Sequence, residues 1–198
     1  MSLWGASDSD ESKPKNLTTA EKKEVFANTK GWVREAGSAS SGNDNTSADE
    51  EVLVAIGGLS AALGAADITQ IEFISTTFDK SDGGTLSARV RFNEPVVVDT
   101  TGGTPTLAVT NGNQGSGSGR GPHALAYASG TGTNELVFSL AIGAANAATN
   151  ADDVLTIGEN ALALNSGTIK DVATSTTNAT ITNSADIGTA AGSITVTA

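Results

Sequence analysis

Cysteine is absent from the 198 residues, so neither a disulfide framework nor a thiolate metal site can form, and stability has to come from packing alone. Aromatic residues make up only 4% of the chain and hydrophobic residues of all kinds 38%. Gly, Ala, Ser, Thr and Asn take their place, a composition that suits thin β-sheets with a lean core of small side chains. Positive charge is scarce too: 11 Lys and Arg stand against 22 Asp and Glu, a net charge of −11. That balance excludes a nucleic-acid surface built on basic phosphate contacts. No apolar run approaches the roughly 20 residues that span a bilayer. The longest candidate, Val52 to Ile56, runs into Gly57 and Gly58, and membrane insertion is not expected. The opening residues Met1-Ser2-Leu3-Trp4-Gly5 lead straight into Asp8-Ser9-Asp10-Glu11, with no basic start, apolar core or small-residue cleavage site. The expectation is a product made and kept in a cytoplasm.

Catalytic signatures are missing as well. His123 is the sole histidine; it follows Pro122 after a glycine-rich stretch and is expected at an exposed loop end. No serine occupies a Gly-x-Ser-x-Gly strand-to-helix turn, and no cysteine can serve as nucleophile. Gly112, Gly115, Gly117 and Gly119 lead to Arg120 and not to a Lys-Ser/Thr pair opening a helix, so they do not make a phosphate cradle. Asp152, Asp153 and Asp171, or Asp79 and Asp82, could cluster at one end of a β domain. No twelve-residue calcium loop with its terminal Glu is present, and solvated surface charge is the expected reading. We nominate no catalytic residue, no metal site and no cofactor, and the chain reads as a protein that is not an enzyme.

What is there divides at about residue 66. The first part holds six of the eleven basic residues (Lys13, Lys15, Lys22, Lys23, Lys30, Arg34) and both tryptophans. Thr18-Thr19-Ala20-Glu21 has the form of a capping box and predicts a short helix through Glu24, Val25 and Phe26, closed by Asn28 and Gly31. At two to three turns it falls below the roughly 12 to 15 residues at which isolated helices become marginal, so it needs something to pack on. Ser38 to Ser47 reads as a flexible connection. A second capping box, Ser47-Ala48-Asp49-Glu50, precedes Val52, Ile56, Leu59 and Leu63, whose spacing paints one helical stripe. Gly57 and Gly58 weaken that helix, and a strand through Val52 to Ile56 competes with it; the helix is favoured.

From Asp67 the hydrophobic period becomes two, with turn signals about every ten residues, the pattern of a sandwich or barrel. Ile71 and Phe73 mark one strand. Leu86, Ala88, Val90 and Phe92 mark another, with Arg89 and Arg91 on its wet face. Asp82-Gly83-Gly84 supplies a tight turn between them, and Asn93-Glu94-Pro95 is expected to end the second. Further strands are predicted at 106–110, 124–128, 135–140, 154–157, 161–164, 179–182 and 194–197. Asn111 to Gly121 and Ala144 to Asp152 are predicted to be exposed loops.

Four ordered segments carry a family resemblance: Phe92-Asn93-Glu94-Pro95-Val96, Gly103-Thr104-Pro105-Thr106-Leu107, Tyr127 through Phe138, and Ala161 through Asp171. Together they resemble the bacterial immunoglobulin-like repeats of large surface adhesins and many phage structural proteins, over residues of about 70 to 175. The resemblance implies an Ig-like antiparallel β-sandwich that serves as a spacer or binding module. In the arm, Leu3-Trp4-Gly5, Lys13-Pro14-Lys15, Glu21-Lys22-Lys23 and Gly31-Trp32-Val33 are similar to the starts of small virion proteins of marine tailed phages, in which a stretch like Glu51 to Leu59 follows.

These readings combine into one expectation: a mainly β chain, residues 1–66 a docking arm with one or two short helices and residues 67–198 an Ig-like sandwich. Its function would be structural, as a capsid decoration or head-fibre component of a virion assembled in the host cytoplasm, which needs no export signal and no disulfides. Major capsid or other virion proteins are the expected partners, and homo-oligomerisation follows from the symmetry of viral surfaces. Trp4, Val25, Phe26, Trp32 and Val33 are the candidate docking residues, since large apolar side chains anchor interfaces. The competing reading of the tryptophans has them fold back onto the domain's own surface. The alternative function is a glycan- or cell-binding module of a phage tail or adhesin, with Asn111, Asn113, Gln114 and Arg120 in the recognition loop.

Overall fold

A computed structural model describes residues 14, 17, 18, 21, 24–28, 30–55, 65–112, 122–144, 149–172 and 175–198. Over the described residues the chain is mainly β, in two sheets. The smaller sheet consists of β1 (Val25–Asn28), β2 (Gly31–Arg34) and β3 (Glu51–Ala55), antiparallel and in sequence order.

This small sheet corrects the two helices expected in the arm. The Thr18 capping box does form, with the Thr18 N–H donating to Glu21 Oε2 at 2.8 Å and the Glu21 N–H to Thr18 Oγ1 at 3.2 Å. By Val25 and Phe26, however, the chain is already extended and paired with Arg34 and Val33. The second helix is corrected too: Glu51–Ala55 is a strand, and the remainder of its stripe, Ile56, Leu59 and Leu63, lies outside the described residues. The β-branched Val25, Val33, Val52 and Val54 fit a pleated sheet better than a helix, and pairing with β2 settles the choice that local pattern left open. Residues 35–50 join β2 to β3 as a turn-rich connection. The Glu24 carboxylate ties it down by accepting from the Ala39 N–H at 3.2 Å, the Ser40 N–H at 3.1 Å and the Ser40 hydroxyl.

The larger sheet contains β4 (Ile68–Phe73), β5 (Phe78–Asp79), β6 (Gly84–Asp99), β7 (Thr106–Gly112), β8 (His123–Ser129), β9 (Thr133–Ile142), β10 (Val154–Thr156), β11 (Leu162–Ala163), β12 (Thr168–Asp171) and, after a short helix α1 (Ala185–Ala190), β13 (Ser193–Thr197). Its hydrogen-bonded order is β12-β6-β9-β8-β7-β10-β13-β5, with β4 also on β6 and β11 also on β7. Only β5 and β13 pair in parallel among these strands.

Two long strands change partners along their length. The first half of β6 lies between β4 and β9, then the register shifts between Arg91 and Val96 and the second half pairs with β12. This corrects the expectation that Asn93-Glu94-Pro95 ends the strand. Pro95 sits in the bulge, where its missing N–H breaks no ladder, and its carbonyl accepts from the Val172 N–H at 3.0 Å. β7 behaves similarly, pairing with β8 and β11 through its first half and with β10 through Thr110, Asn111 and Gly112.

Period-two alternation puts Leu86, Ala88 and Val90 of β6 inside and Ser87 and Arg89 outside. Register then builds apolar rows across strands: Ile71, Val90 and Leu136 on one side, and Leu162, Leu107 and Leu125 on the other, all buried in one core. Of the predicted strands, 179–182 does not form; Asn178 and Thr180 make single bridges to Lys170 and Asp67. β5, β12 and α1 had no individual prediction. The helix is capped by Ser184, whose hydroxyl accepts from the Ile187 N–H at 3.3 Å. Gly188 lets it approach closely: a Cβ there would lie 2.7 Å from the Ile157 carbonyl oxygen. No helix of the described residues is long and apolar enough to cross a membrane.

Candidate functional site

The two sheets keep separate cores. The body's cluster draws only on residues from Ala66 onward, whereas Val25 and Trp32 form a second cluster with Leu17, Leu53 and Val54. Between them lies a cleft of about 430 Å³ whose walls include Phe26, Glu35, Thr46, Arg91, Asn134 and Glu135. β1 and the connection from β2 to β3 supply one wall, and β4, β6 and the start of β9 supply the other.

An ion-pair ladder runs along the body wall. Arg89 Nε pairs with Glu72 Oε1 at 2.6 Å and its Nη1 with Glu135 Oε2 at 3.2 Å, while Arg91 Nε reaches Glu135 Oε1 and its Nη2 reaches Glu35 Oε2 at 3.1 Å. Because residues 89 and 91 share a face of β6, each guanidinium stands beside strand neighbours that can present carboxylates. Arg89 and Arg91 were expected on the wet face, and the structure adds that the small sheet covers Arg91, leaving its side chain 10% exposed.

Glu35, the residue that follows β2, carries the ion pair from the small sheet's side to Arg91. Its desolvation pushes the carboxyl above the ordinary range, against the pull of Arg91 and with further upward pressure from Glu135. Among the described residues, no hydrogen bond is made by Glu35 Oε1, by the Asn134 side chain or by the Thr46 hydroxyl, whereas Glu35 Oε2 accepts from Arg91 Nη2. Glu24 behaves differently. Burial pushes it up, but hydrogen bonds from Ser40 and Ala39 outweigh that and leave it lowered.

The raised Glu35 carboxyl has a testable sign. The folded state holds this proton more tightly than the unfolded chain, so wild-type stability from this group falls as pH rises from the ordinary carboxylate range through the raised folded value. A Glu35→Gln variant has no such proton. Its stability relative to wild type is therefore expected to be more favourable at about pH 7 than at about pH 4. Urea midpoints at the two pH values check this, and a pH-independent difference would contradict it.

The docking residues named from sequence fall in different places. Val25, Trp32 and Val33 are buried, Trp32 to 1% exposure, so they pack inside the chain and not towards a partner; this corrects their assignment as exposed anchors. They are interior because the antiparallel pairing of β1, β2 and β3 gives the tryptophan a sheet of its own to rest on. Phe26 is half-buried at the cleft, and Trp4 lies outside the described residues.

The recognition loop is corrected at Asn111, which is a buried member of β7 paired with Leu155. Asn113, Gln114 and Arg120 lie outside the described residues. His123 is not an exposed loop-end residue: it is buried in β8, its Nε2 3.0 Å from Thr149 Oγ1. Desolvation lowers its pKa, with Asp153 opposing. It belongs to β8 because Val109 pairs opposite it, which turns its ring inward. Asp153 and Asp171 are buried, while the Asp79 carboxylate accepts from the Ser81 N–H and hydroxyl and the Asp82 N–H. Among the described residues no three His, Asp or Glu side chains converge on a common point.

Sequence reasoning missed the cleft. Arg91 and Glu135 alternate with apolar neighbours as any wet-face residue does, and nothing in their spacing announces that Glu35 will meet Arg91 from 56 residues away. Comparisons with protein-family models, with curated proteins and with solved structures each return no match.

Proposed function

We propose that the chain is a structural component of a tailed-phage particle, a capsid decoration or head-fibre protein, in which the N-terminal part attaches and the β body is displayed as an Ig-like sandwich. The observation that carries this reading is the division into two cores. A small sheet with its own apolar cluster is joined to a larger body, and every residue of the body's buried core lies at Ala66 or beyond. Such a division allows one part to be held by a lattice while the other keeps its fold. The resemblance of residues 92–171 to Ig-like repeats supports the sandwich, as do the antiparallel strands with exchanged partners.

Within this reading attachment does not use Trp32, which is interior. It uses the outer side of the small sheet, where β3 has no neighbour beyond β2 among the described residues and Val52 is 44% exposed. Partner strands add to such edges through main-chain hydrogen bonds.

Deletion of residues 1–64 tests the proposal. The cut is placed there because Ala66 belongs to the body's core and its carbonyl accepts from the Thr180 N–H at 2.8 Å. The full chain is expected to cosediment with purified particles, and the truncated chain to lose that binding while retaining a β circular-dichroism spectrum. Equal cosedimentation of both forms, or of neither, would overturn it. The second reading, a glycan-binding module, is favoured by the chemistry of the cleft.

A further inference from the structure

We propose that the cleft between the small sheet and the body is a binding site for a neutral carbohydrate of about one or two rings. The inference rests on the cleft and is independent of particle attachment.

Its volume of about 430 Å³ lies within the roughly 300 to 1,000 Å³ of small-ligand sites. A sugar ring needs two kinds of wall, an apolar surface for its C–H face and polar groups of both senses for hydroxyls that donate and accept. Phe26 supplies the first. The second comes from three groups with open capacity among the described residues: Glu35 Oε1 accepts, the Thr46 hydroxyl donates or accepts, and the Asn134 amide does both.

The supporting groups are already locked. Arg91 lies between Glu35 and Glu135, and Arg89 also pairs with Glu135, so the ladder holds Glu35 in place before any ligand arrives. Preorganisation of this kind lowers the cost of binding.

Charge selects among ligands. Glu35, Glu50 and Glu135 face the cleft and are paired with Arg91, Lys30 and Arg89 respectively, so a phosphate or acidic sugar meets carboxylates whose cations are already engaged. A cationic ligand meets a guanidinium that already occupies the best acceptors of Glu35 and Glu135. A neutral polyhydroxyl ligand meets neither obstacle.

The experiment titrates the full chain, followed by amide NMR, with a panel of neutral disaccharides covering hexoses, N-acetylhexosamines and deoxyhexoses. 3′-Sialyllactose and a trilysine peptide are run beside them. At least one neutral sugar is expected to saturate in the millimolar range with shifts at Phe26, Thr46 and Asn134, and 3′-sialyllactose is expected to bind at least about tenfold more weakly. Asn134→Ala should weaken the sugar about tenfold with the spectrum otherwise unchanged. Phe26→Leu, which keeps the apolar volume but removes the ring, should weaken it as well. No saturating shift from any neutral sugar at tens of millimolar, undiminished binding in Asn134→Ala, or saturation by trilysine instead would each overturn the proposal.

Discussion

Phe138→Ala is expected to destabilise the body by about 3 to 5 kcal/mol, the range for deleting a buried aromatic side chain. Phe138 is fully buried at the middle of β9, opposite Ala88 of β6 and Tyr127 of β8. Its ring meets Tyr127 edge-on, with centroids 6.0 Å apart and planes at 72°. Truncation therefore removes both area and a favourable aromatic pair. Ala88 is the reason that the site cannot collapse, because its methyl cannot grow into the space that the ring leaves. A domain of ordinary stability, about 5 to 15 kcal/mol, loses a large fraction of its margin. The thermal midpoint should fall by on the order of 10 °C, and the urea midpoint should fall with an unchanged slope. A loss below about 1 kcal/mol would mean that the β6–β9 register is not as described.

Arg91→Ala should be the most damaging polar substitution, costing about 2 to 3 kcal/mol. The guanidinium contacts both Glu135 of the body and Glu35 beside the small sheet, and its removal leaves like charges facing each other across the cleft. The figure sits below the 3 to 5 kcal/mol of a fully buried pair because Glu35 is 40% exposed and Glu135 retains Arg89. A second consequence is local. With the Glu35 link gone, the small sheet should open more often, and proteolysis between residues 30 and 50 should accelerate while the body resists. Arg91→Lys should recover only part of the loss, since one ammonium cannot present two donors in a fixed fork to carboxylates on different sheets. Unchanged proteolysis in Arg91→Ala would show that the small sheet is held by other contacts.

The residues from 68 onward were largely legible. Leu86, Ala88 and Val90 alternate so cleanly with polar neighbours that any fold using them as a strand must turn the same face inward, and β7, β8, β9 and β13 announced themselves in the same way. The arm was not legible for a physical reason. Thr18 and Glu21 satisfy each other as a capping box whether or not a helix follows, so the signal reports a local hydrogen-bond exchange and not the conformation of Val25. Val52 to Ile56 fits both a stripe and a strand over five residues, too few for period alone to arbitrate. Asn111 and His123 were misplaced because composition spoke for a loop, while pairing with Leu155 and Val109 decided otherwise.

The sequence by itself determined that this protein is mainly β, where most of its strands from residue 68 lie and which of their faces is apolar, because alternation at period two is a local property of each segment. Only the tertiary structure decided that β6 continues past Pro95 to a new partner, that Trp32 closes a small sheet, and that Glu35 meets Arg91 across a cleft. Those contacts join residues distant along the chain. Their energy comes from pairing and desolvation between segments, which no single segment's pattern contains.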